Sequence, residues 1–388
     1  MIRILAAAVL AVHTSAMSVA AFDTRATSAY VIDHTTGTVL LNKNADEPLP
    51  PASMSKLMTL YMAFEAIERG QLSMTDELVV SAHANSFGGS TMFLRTGERV
   101  TVEDLVRGII VLSGNDACVV IAEALSPDGT EGGFARLMTR RAQEMGMTNS
   151  TFANSSGWPA AGHLMSMRDL GLLAQRLLTD FPEYYPMFAE TEFLFDPEEA
   201  SNRFNRNPLL KLGIGADGLK TGHTQEAGYG LTGSAKQGDR RIVFVLSGMD
   251  STAVRAQESE AIVNWSFRQF AERTLATSGQ RLAVANVWEG AEPQVGLVPA
   301  EDVNVLLPVL SAAALSAEVV YTGPVQAPIA AGTPLAELVL QPEGLPEVRI
   351  ELVAETDVAH GGFLATVSTA ALSLFDMMRG APATEDGV

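Results

Sequence analysis

Ser53 and Lys56 are the first residues in this chain whose types and spacing could carry out a reaction. Two prolines precede them, and apolar residues then recur at three- and four-residue steps as far as Gly70, which predicts a helix beginning near Ser53. A three-residue spacing puts both side chains on one helix face. The free N–H groups and positive dipole end of a helix N-terminus favour a negative oxygen and a neutral amine. The pair could therefore act as a nucleophile and its base.

Two further polar triplets lie where regular patterns break. Ser113-Gly114-Asn115 separates two apolar helical patterns, so its side chains could point into a cleft at the corner between them. Lys220-Thr221-Gly222 precedes a strand–turn–strand pattern over 229–246. Each piece has an ordinary alternative: a capping serine with a surface lysine, a plain turn, or a solvated strand lysine. All three together, in this order, are far more specific.

This ordered set resembles the Ser-x-x-Lys, Ser-x-Asn and Lys-Thr-Gly motifs of the serine penicillin-recognising enzymes. The chain is most similar to the low-molecular-mass penicillin-binding proteins that are D-alanyl-D-alanine carboxypeptidases. The resemblance is strong over about residues 25–275 and looser beyond. It includes further segments that look like family signatures: 92–94, 116–118, 217–224, 227–229, and Arg255 followed by Glu258, Ser259 and Trp265.

The resemblance implies an α+β fold of the penicillin-binding-protein/β-lactamase-like transpeptidase type, in which an antiparallel sheet holds a helical insertion and a small all-β domain follows. The alternation of helical and strand patterns agrees with an α+β arrangement. Strand pairs are expected at 28–41 and 229–246. Helices are expected to start at Thr101 and Asp116, and another to run from Arg255 to Glu272. Five short β-rich runs after residue 277 predict the second domain.

The resemblance also implies roles in acyl transfer. Ser53 would be the acyl-accepting nucleophile and Lys56 its base. Lys56 can serve only when neutral, so its reference pKa of about 10.4 has to fall by some three units through burial and a neighbouring cation. Lys220 is the candidate cation. Ser113 and Asn115 would shuttle the proton and hold the substrate amide.

Other residues are expected to bind substrate. Thr221 and Arg255 would hold a terminal carboxylate, for which a planar guanidinium is well shaped, although Arg255 could be an ordinary residue at a helix start. Gly222 would let substrate approach the strand edge. The backbone N–H groups of Ser53 and His223 would form an oxyanion hole.

The leading hypothesis is a hydrolase that removes the terminal D-Ala from peptidoglycan pentapeptide stems through an acyl-enzyme on Ser53, with β-lactams as covalent inhibitors. A serine β-lactamase shares this acylation machinery but needs a positioned water activator. No convincing carboxylate motif of that kind stands between Asn115 and Lys220. A noncatalytic envelope scaffold is the third hypothesis, and the intact motif residues argue against it.

Composition excludes several classes of partner. The 388 residues are 47% hydrophobic, which provides core material for two domains. A net charge of −19 argues against nucleic acid or an anionic membrane surface as an electrostatic partner. The histidines lack ligand spacing and no glycine-rich phosphate cradle is present, so neither a metal nor a cofactor is expected. Cys118 is the single cysteine and fits a buried, inert thiol.

Four segments are expected along the chain. Residues 1–21 have the pattern of a cleavable secretory signal, with an N-terminal membrane anchor as the alternative. Residues 22–276 would form the catalytic domain, 277–360 the small β-rich domain, and 361–388 an amphipathic helix with an acidic tail. The protein is therefore expected to be exported to the periplasm.

The predicted helix over 363–379 occupies the place of a membrane-associated helix in related carboxypeptidases. Arg379 is its only basic residue, so contact with the outer face of the inner membrane would depend on its apolar face. A helix packed on the β-rich domain is the alternative.

Overall fold

The computed structural model of the protein describes residues 22–309 and 315–362. The predicted signal peptide 1–21 and the predicted helix 363–379 lie outside the described residues. The chain divides into two compact units, the first ending at Arg268 and the second beginning at Gln269. The sequence had suggested a division between residues 276 and 277.

The first unit is an antiparallel sheet with a mainly helical insertion of residues 44–215 between its second and third strands along the chain. The sheet has the strand order β2-β1-β7-β6-β5. Its elements are β1 (Ser28–Asp33), β2 (Val39–Lys43), α1 (Lys56–Glu68), β3 (Glu77–Val79), α2 (Ala82–Asn85), β4 (Arg99–Thr101), α3 (Val102–Arg107), α4 (Asn115–Leu125), α5 (Glu131–Glu144), α6 (Met167–Asp180), β5 (Ala216–Thr224), β6 (Gly228–Gln237), β7 (Arg240–Met249) and α7 (Thr252–Gln269).

The sheet has an apolar layer on each face because its central strands alternate between the two. Tyr30 and Ile32 of β1 pack into the core formed with the helical insertion. Ala29 and Val31 pack into a second core that includes Ile262 of α7. Every residue of β1 is buried, as expected for a strand covered on both sides. The predicted α+β fold is confirmed.

Helix α1 is enclosed in the insertion. Nine of its thirteen residues are buried, beginning with Lys56 itself. A 3₁₀ turn over Ala52–Ser55 leads into it, and Gly70 follows it with a φ of 66°. The predicted helix start near Ser53 is confirmed, and because of this enclosure the lysine is in the core rather than in solvent.

The predicted helix over 255–272 is wrong at its C-terminal end. Helix α7 stops at Gln269, and Phe270–Ala276 forms strand β8, which pairs with a later strand over Val303–Pro308. Helix-favouring residues such as Glu272 are overridden here by strand pairing, which a local pattern does not show.

The second unit is all β in its described part. It contains β8 (Phe270–Ala276), β9 (Ala283–Trp288), β10 (Gln294–Pro299), β11 (Val303–Pro308), β12 (Leu315–Tyr321), β13 (Val325–Gln326), β14 (Pro334–Pro342) and β15 (Val348–Ala354). Six of these form one sheet in the order β12-β14-β15-β10-β9-β13, and β11 pairs with β8. All five predicted strand runs are confirmed, whereas β8, β10 and β13 were not predicted. Across the described ranges, no helix has both the length and the apolar character needed to cross a membrane.

Candidate active site

The turn that carries Ser53 is held by close packing against a loop of the helical insertion. Ala52 has a φ of 50°, in the left-handed region that residues with a Cβ seldom adopt. Gly157 lies directly against it with a φ of 77°, and a Cβ at this glycine would be 1.9 Å from the Ala52 carbonyl oxygen. Only a glycine allows this approach. The loop therefore fixes the backbone that presents the serine.

The side chain of Lys56 is completely buried and reaches three oxygen atoms. Its Nζ lies 3.0 Å from Ser53 Oγ, 2.6 Å from Asn115 Oδ1 and 2.6 Å from the Ser156 carbonyl oxygen. A neutral amine can donate to the last two and still direct its lone pair at the serine hydroxyl. This is the geometry that a base acting on Ser53 requires.

The pKa of Lys56 is lowered to about 8, mainly by burial and in part by the nearby Arg206 guanidinium, against the opposing effects of Cys118, Asp116 and Glu131. The expected fall in the pKa of this lysine is therefore present. Its main cause is desolvation, and the Arg206 guanidinium contributes to it. The charges of Lys56 and Lys220 also oppose each other, because Lys56 lowers the pKa of Lys220.

Lys220 connects strand β5 to the Ser-Gly-Asn corner. Its Nζ donates to Ser113 Oγ at 2.9 Å. Ser113 ends a π-helical turn over Gly108–Leu112 and adopts the left-handed conformation with a φ of 62°. Burial lowers the pKa of Lys220 well below its usual value, and Lys56 and Arg206 add to the effect. The enclosure thus opposes the positive charge that the sequence suggested at this position.

Asn115 is oriented by hydrogen bonds to the loop that contains Gly88 and Ser90. Its side-chain Nδ2 donates to the Gly88 carbonyl oxygen at 2.8 Å, and its backbone N–H donates to the Ser90 carbonyl oxygen at 2.8 Å. The neighbouring Asp116 carboxylate accepts backbone N–H groups from Met92 at 3.0 Å, and also from Leu94 and Ala117. The carboxylate of Asp116 therefore fixes the loop against the start of α4.

Strand β5 is the last strand of its sheet among the described residues, and its residue Gly222 packs against the nucleophile turn. A Cβ at Gly222 would be 3.0 Å from the Pro51 carbonyl oxygen and 3.1 Å from Met54 Cγ. The sequence suggested that this glycine admits substrate. In the structure it is the nucleophile turn, at Pro51 and Met54, that packs closely against Gly222.

Two guanidinium groups lie on the Lys220 side of the site. Arg255 is buried, donates to the Arg206 carbonyl at 3.4 Å, and lies 5.7 Å from the centre of the Tyr229 ring. Its Nε finds no hydrogen-bond partner among the described residues. Arg206 donates to Ser90 Oγ at 2.6 Å. Burial lowers the pKa of both arginines, which is the electrostatic setting of a site that receives an anion.

Thr221 and His223 complete the β5 side. Thr221 is buried next to Lys220, whereas the exposed His223 imidazole stacks on Tyr229 with ring centres 3.9 Å apart. Printed distances thus join Ser53, Lys56 and Asn115 to one another, and Lys220 to Ser113 next to Asn115. Arg206 was missed because it stands in an irregular segment with no motif around it.

The hydrogen bonds that hold the loop carrying the Ser156 carbonyl were not predicted from the sequence. His163 Nδ1 accepts from the Ala153 N–H at 3.3 Å, so the proton resides on Nε2, 2.7 Å from Ser55 Oγ. Burial lowers the pKa of His163 to about 4, which keeps this ring neutral. Glu131 accepts from the Ser155 hydroxyl at 2.7 Å. His163 therefore connects the loop over 153–157 to the nucleophile turn, and Glu131 holds the same loop at the start of α5.

A serine beside a buried amine, a second buried lysine and nearby guanidinium groups define the class. It is the class of serine-dependent acyl-transfer enzymes, and the guanidinium groups could hold an anionic part of a substrate. Among the described residues, no group of three or more His, Cys, Asp or Glu side chains is arranged to hold a metal ion.

Comparison with known proteins identifies the family. A sequence model of the peptidase S11 family, described as D-alanyl-D-alanine carboxypeptidase, matches residues 14–251. A model of the C-terminal domain of penicillin-binding protein 5 matches 270–360, beginning where β8 begins. The chain belongs to the D-alanyl-D-alanine carboxypeptidase family of low-molecular-mass penicillin-binding proteins and is a serine peptidase.

Individual relatives agree with this membership. The chain is 35% identical to the D-alanyl-D-alanine carboxypeptidase DacF of Bacillus subtilis over 343 residues, 87% of each protein. It resembles the crystal structure of penicillin-binding protein 5 from Haemophilus influenzae with a TM-score of 0.75 and 30% identity, covering 87% of this chain and 99% of that one. Penicillin-binding protein D2 from Listeria monocytogenes in its ampicillin-bound form is 29% identical, with a TM-score of 0.56 over 63% of this chain and 98% of that one.

Proposed function

We propose that the protein cleaves the terminal D-Ala from peptidoglycan stem peptides ending in D-Ala-D-Ala, with Ser53 as nucleophile. The observation that carries this proposal is the buried Lys56 amine, 3.0 Å from the Ser53 hydroxyl, in a member of the carboxypeptidase family. An ordinary serine hydroxyl is a poor nucleophile, and a neutral amine at this distance is a base that can activate it.

Acylation begins when Lys56 Nζ accepts the Ser53 proton and Oγ attacks the carbonyl carbon of the penultimate D-Ala. The backbone N–H groups of Ser53 and His223 stabilise the negative oxygen that forms, with each donor contributing about 3 kcal/mol. The C–N bond to the last residue then breaks. Its nitrogen takes the proton through Ser113, which bonds to Lys220 Nζ, and free D-Ala leaves.

Hydrolysis of the ester returns the enzyme to its starting state. A water molecule gives a proton to Lys56 and attacks the acyl carbon, the bond from that carbon to Ser53 Oγ breaks, and the serine oxygen regains a proton. The shortened peptide departs with the new carboxylate. The same amine serves both half-reactions because it stays within hydrogen-bond distance of the serine.

The terminal carboxylate is held by Thr221 and Arg255, as the sequence suggested, together with Arg206. The unpartnered Arg255 Nε and the absence of a carboxylate paired with either guanidinium among the described residues support this assignment. Asn115 holds the substrate amide while its Oδ1 accepts from Lys56. A charged hydrogen bond between a guanidinium group and the terminal carboxylate fixes the position of the peptide end relative to Ser53.

β-Lactams act on the same serine. Opening of the lactam ring by Ser53 leaves the amine tethered to the acyl group, so the ester forms without a departing product. We therefore expect penicillins to acylate Ser53 and to block D-Ala release.

The substrate lies outside the cytoplasmic membrane, which supports export to the periplasm through the predicted signal 1–21. We also propose peripheral contact with the outer face of the inner membrane through 363–379. A chain ending before Gly361 that fractionates with membranes as the full chain does would exclude this helix as the anchor.

The decisive experiment incubates the full protein with a D-Ala-D-Ala peptide, with and without penicillin, and measures free D-Ala and the mass of the Ser53 peptide. We expect D-Ala release that penicillin blocks, with the acyl group on Ser53. Rapid penicillin turnover without D-Ala release would instead identify a β-lactamase. Release of D-Ala by Ser53→Ala would overturn the nucleophile assignment.

A further inference from the structure

Glu131 is a buried carboxylate that takes no part in the steps above. It is the first residue of α5 and its side chain is 9% exposed, although glutamates are seldom buried unless they are paired. Other elements engage both of its oxygen atoms. Oε1 accepts from the Ser155 N–H at 3.0 Å and from the Ser155 hydroxyl at 2.7 Å, and Oε2 lies 3.3 Å from Nε2 of His83 in α2. The carboxylate therefore does more than favour the start of a helix.

Ser155 immediately precedes the residue whose carbonyl binds the base. Its own carbonyl accepts from Thr59 Oγ1 at 2.6 Å, one turn after Lys56 in α1. The next carbonyl, that of Ser156, accepts from Lys56 Nζ at 2.6 Å. One short backbone segment is thus held by Glu131 and in turn contacts α1 at two points. A shift of this segment would move the second carbonyl and, with it, the amine that acts as the base.

The negative charge of Glu131 acts on the same amine. Both side chains are buried in the helical insertion, where charges are screened less than in water. Burial is the main cause of the lowered pKa of Lys56, and the charge of Glu131 is among the effects that oppose it. The exposed His83 imidazole joins this carboxylate to the surface. The other titratable groups that interact with the amine are Cys118, Arg206, Asp116 and Lys220.

We propose that Glu131 is a positioning residue for the catalytic base: its carboxylate fixes the Ser156 carbonyl at the Lys56 amine and places a fixed negative charge near it. The inference rests on the proposed function and adds a residue to its machinery. The hydrogen bonds to Ser155 affect how fast the base works, whereas the charge affects the pH at which the amine becomes free. The charge favours the ammonium form and so delays release of the free amine as the pH rises. Substitution can therefore separate the two contributions.

The test measures labelling rates of the full protein with a fluorescent penicillin over about pH 5.5–9.5. Glu131→Gln removes the charge and keeps an oxygen that can accept from Ser155. The ammonium form of Lys56 is then less favoured, so the midpoint of the rate profile should move to lower pH, while the plateau rate falls by no more than about threefold. Glu131→Ala removes the acceptor as well and should slow the plateau by about tenfold or more.

Glu123→Gln is the matched control. Glu123 is a half-buried carboxylate of α4 in the same helical insertion, and it accepts from Ser81 Oγ at 3.0 Å. Its substitution removes an equal charge, so both the midpoint and the plateau should keep their wild-type values. A histidine can change its charge between about pH 5 and 8. The comparison of Glu131 with Glu131→Gln is therefore repeated in a His83→Gln background, where the shift of the midpoint should persist.

The outcomes separate this inference from the proposed function. If the wild-type protein neither releases D-Ala nor takes up penicillin, the proposed function fails. If it does both but Glu131→Gln keeps or raises the midpoint, or Glu123→Gln moves it as far, the role of the charge is wrong. A wild-type plateau in Glu131→Ala would overturn the positioning role.

Ser155→Ala replaces Glu131→Ala if that variant does not fold, since it removes only the hydroxyl bond to the carboxylate. It should slow the plateau by about threefold. An unchanged plateau in this variant would equally overturn the positioning role. The melting temperature of each variant, measured on the same sample, shows that the rates belong to folded protein.

Discussion

The two units of the molecule differ in what they bury. The first unit encloses charged side chains in its core, among them Lys56, Asp116 and Lys220. The described part of the second unit buries no polar or charged side chain. Its ion pairs, such as that of Arg349 with Glu337, are exposed. Both units have continuous apolar cores, so the contrast is not one of size alone.

Burying a polar group lowers stability unless hydrogen bonds replace the lost water. The first unit meets this requirement at Lys56 with three oxygen partners and at Asp116 with backbone N–H groups. The second unit avoids the requirement. The difference teaches where the buried polar groups that chemistry needs are found: among the described residues they lie in the first unit, which holds them away from water.

The largest expected effect is on Ser53→Ala. We expect D-Ala release to fall by about 10⁴-fold or more and penicillin labelling to disappear, since the proposed nucleophile is removed. The melting temperature should change little, because one hydroxyl contact is lost. Ser316→Ala, at an exposed position of β12 in the second unit, is the control and should retain full activity. Equal loss in both variants would break the contrast between the units.

Lys56→Ala comes next. Removal of the base should slow acylation by about 10³-fold while leaving Ser53 in place. It also leaves Asn115 Oδ1 and the Ser156 carbonyl without their donor, so stability is expected to fall too. Stopped-flow labelling with a fluorescent penicillin measures the rate. A fall of less than tenfold would mean that another group activates the serine.

Gly157→Ala tests the close packing behind the nucleophile. A Cβ would overlap the Ala52 carbonyl oxygen at 1.9 Å, so the turn has to move. We expect acylation to slow by about 100-fold and unfolding to become easier by about 1–3 kcal/mol. Gly279→Ala in the second unit is the matched control, with a φ of 72° and no atom within 4 Å of the added Cβ. It should show backbone strain and unchanged acylation; similar kinetics in both variants would refute the packing role.

The pH dependence tests the buried amine directly. Burial lowers the pKa of Lys56 to about 8. Below this value the ammonium form dominates and cannot accept a proton, so the acylation rate should fall about tenfold per pH unit; above it the rate should level off. Penicillin labelling rates between pH 5.5 and 9.5 give this profile. A flat profile across that range would exclude Lys56 as the base.

The smallest effect on activity is expected in the core of the second unit. Leu352 is completely buried in its apolar cluster. Leu352→Ala should destabilise this unit by about 2–5 kcal/mol, while kcat/KM stays unchanged below its unfolding temperature. Calorimetry and D-Ala release measured on the same sample decide the matter. A loss of activity at a temperature where both units are folded would show that catalysis also depends on the second unit.

Local signals explain what the sequence predicts well. Thr101 accepts from the Asp104 N–H at 3.1 Å, as its capping pattern indicated, and α3 starts there. Alternating or apolar runs identified β6 and β7, which follow the motif around Lys220. Short motifs with specific spacing identified the chemistry, because each residue in them has a fixed chemical role.

The missing parts come from contacts between distant residues. The Ser156 carbonyl is a backbone group that any residue type could supply. Its contact with Lys56 therefore cannot be predicted from the residue type. Arg206 and His163 form their hydrogen bonds, to Ser90 and Ser55, with residues that come close only after folding. The first three residues of strand β8 were predicted as helix because its partner β11 lies far along the chain. These features thus depend on packing between residues that are distant in the sequence. Local sequence patterns do not reveal such packing.

The three partners of Lys56 have a consequence for how the molecule can be assayed. Asn115 and Ser156 are separated from Lys56 by 59 and 100 residues along the chain. The amine is therefore enclosed only after these remote segments have docked, and a partly assembled chain exposes it to water and restores its proton. Fluorescent penicillin added during refolding should accordingly mark the last cooperative step, and the time course of labelling would report maturation of the whole first unit.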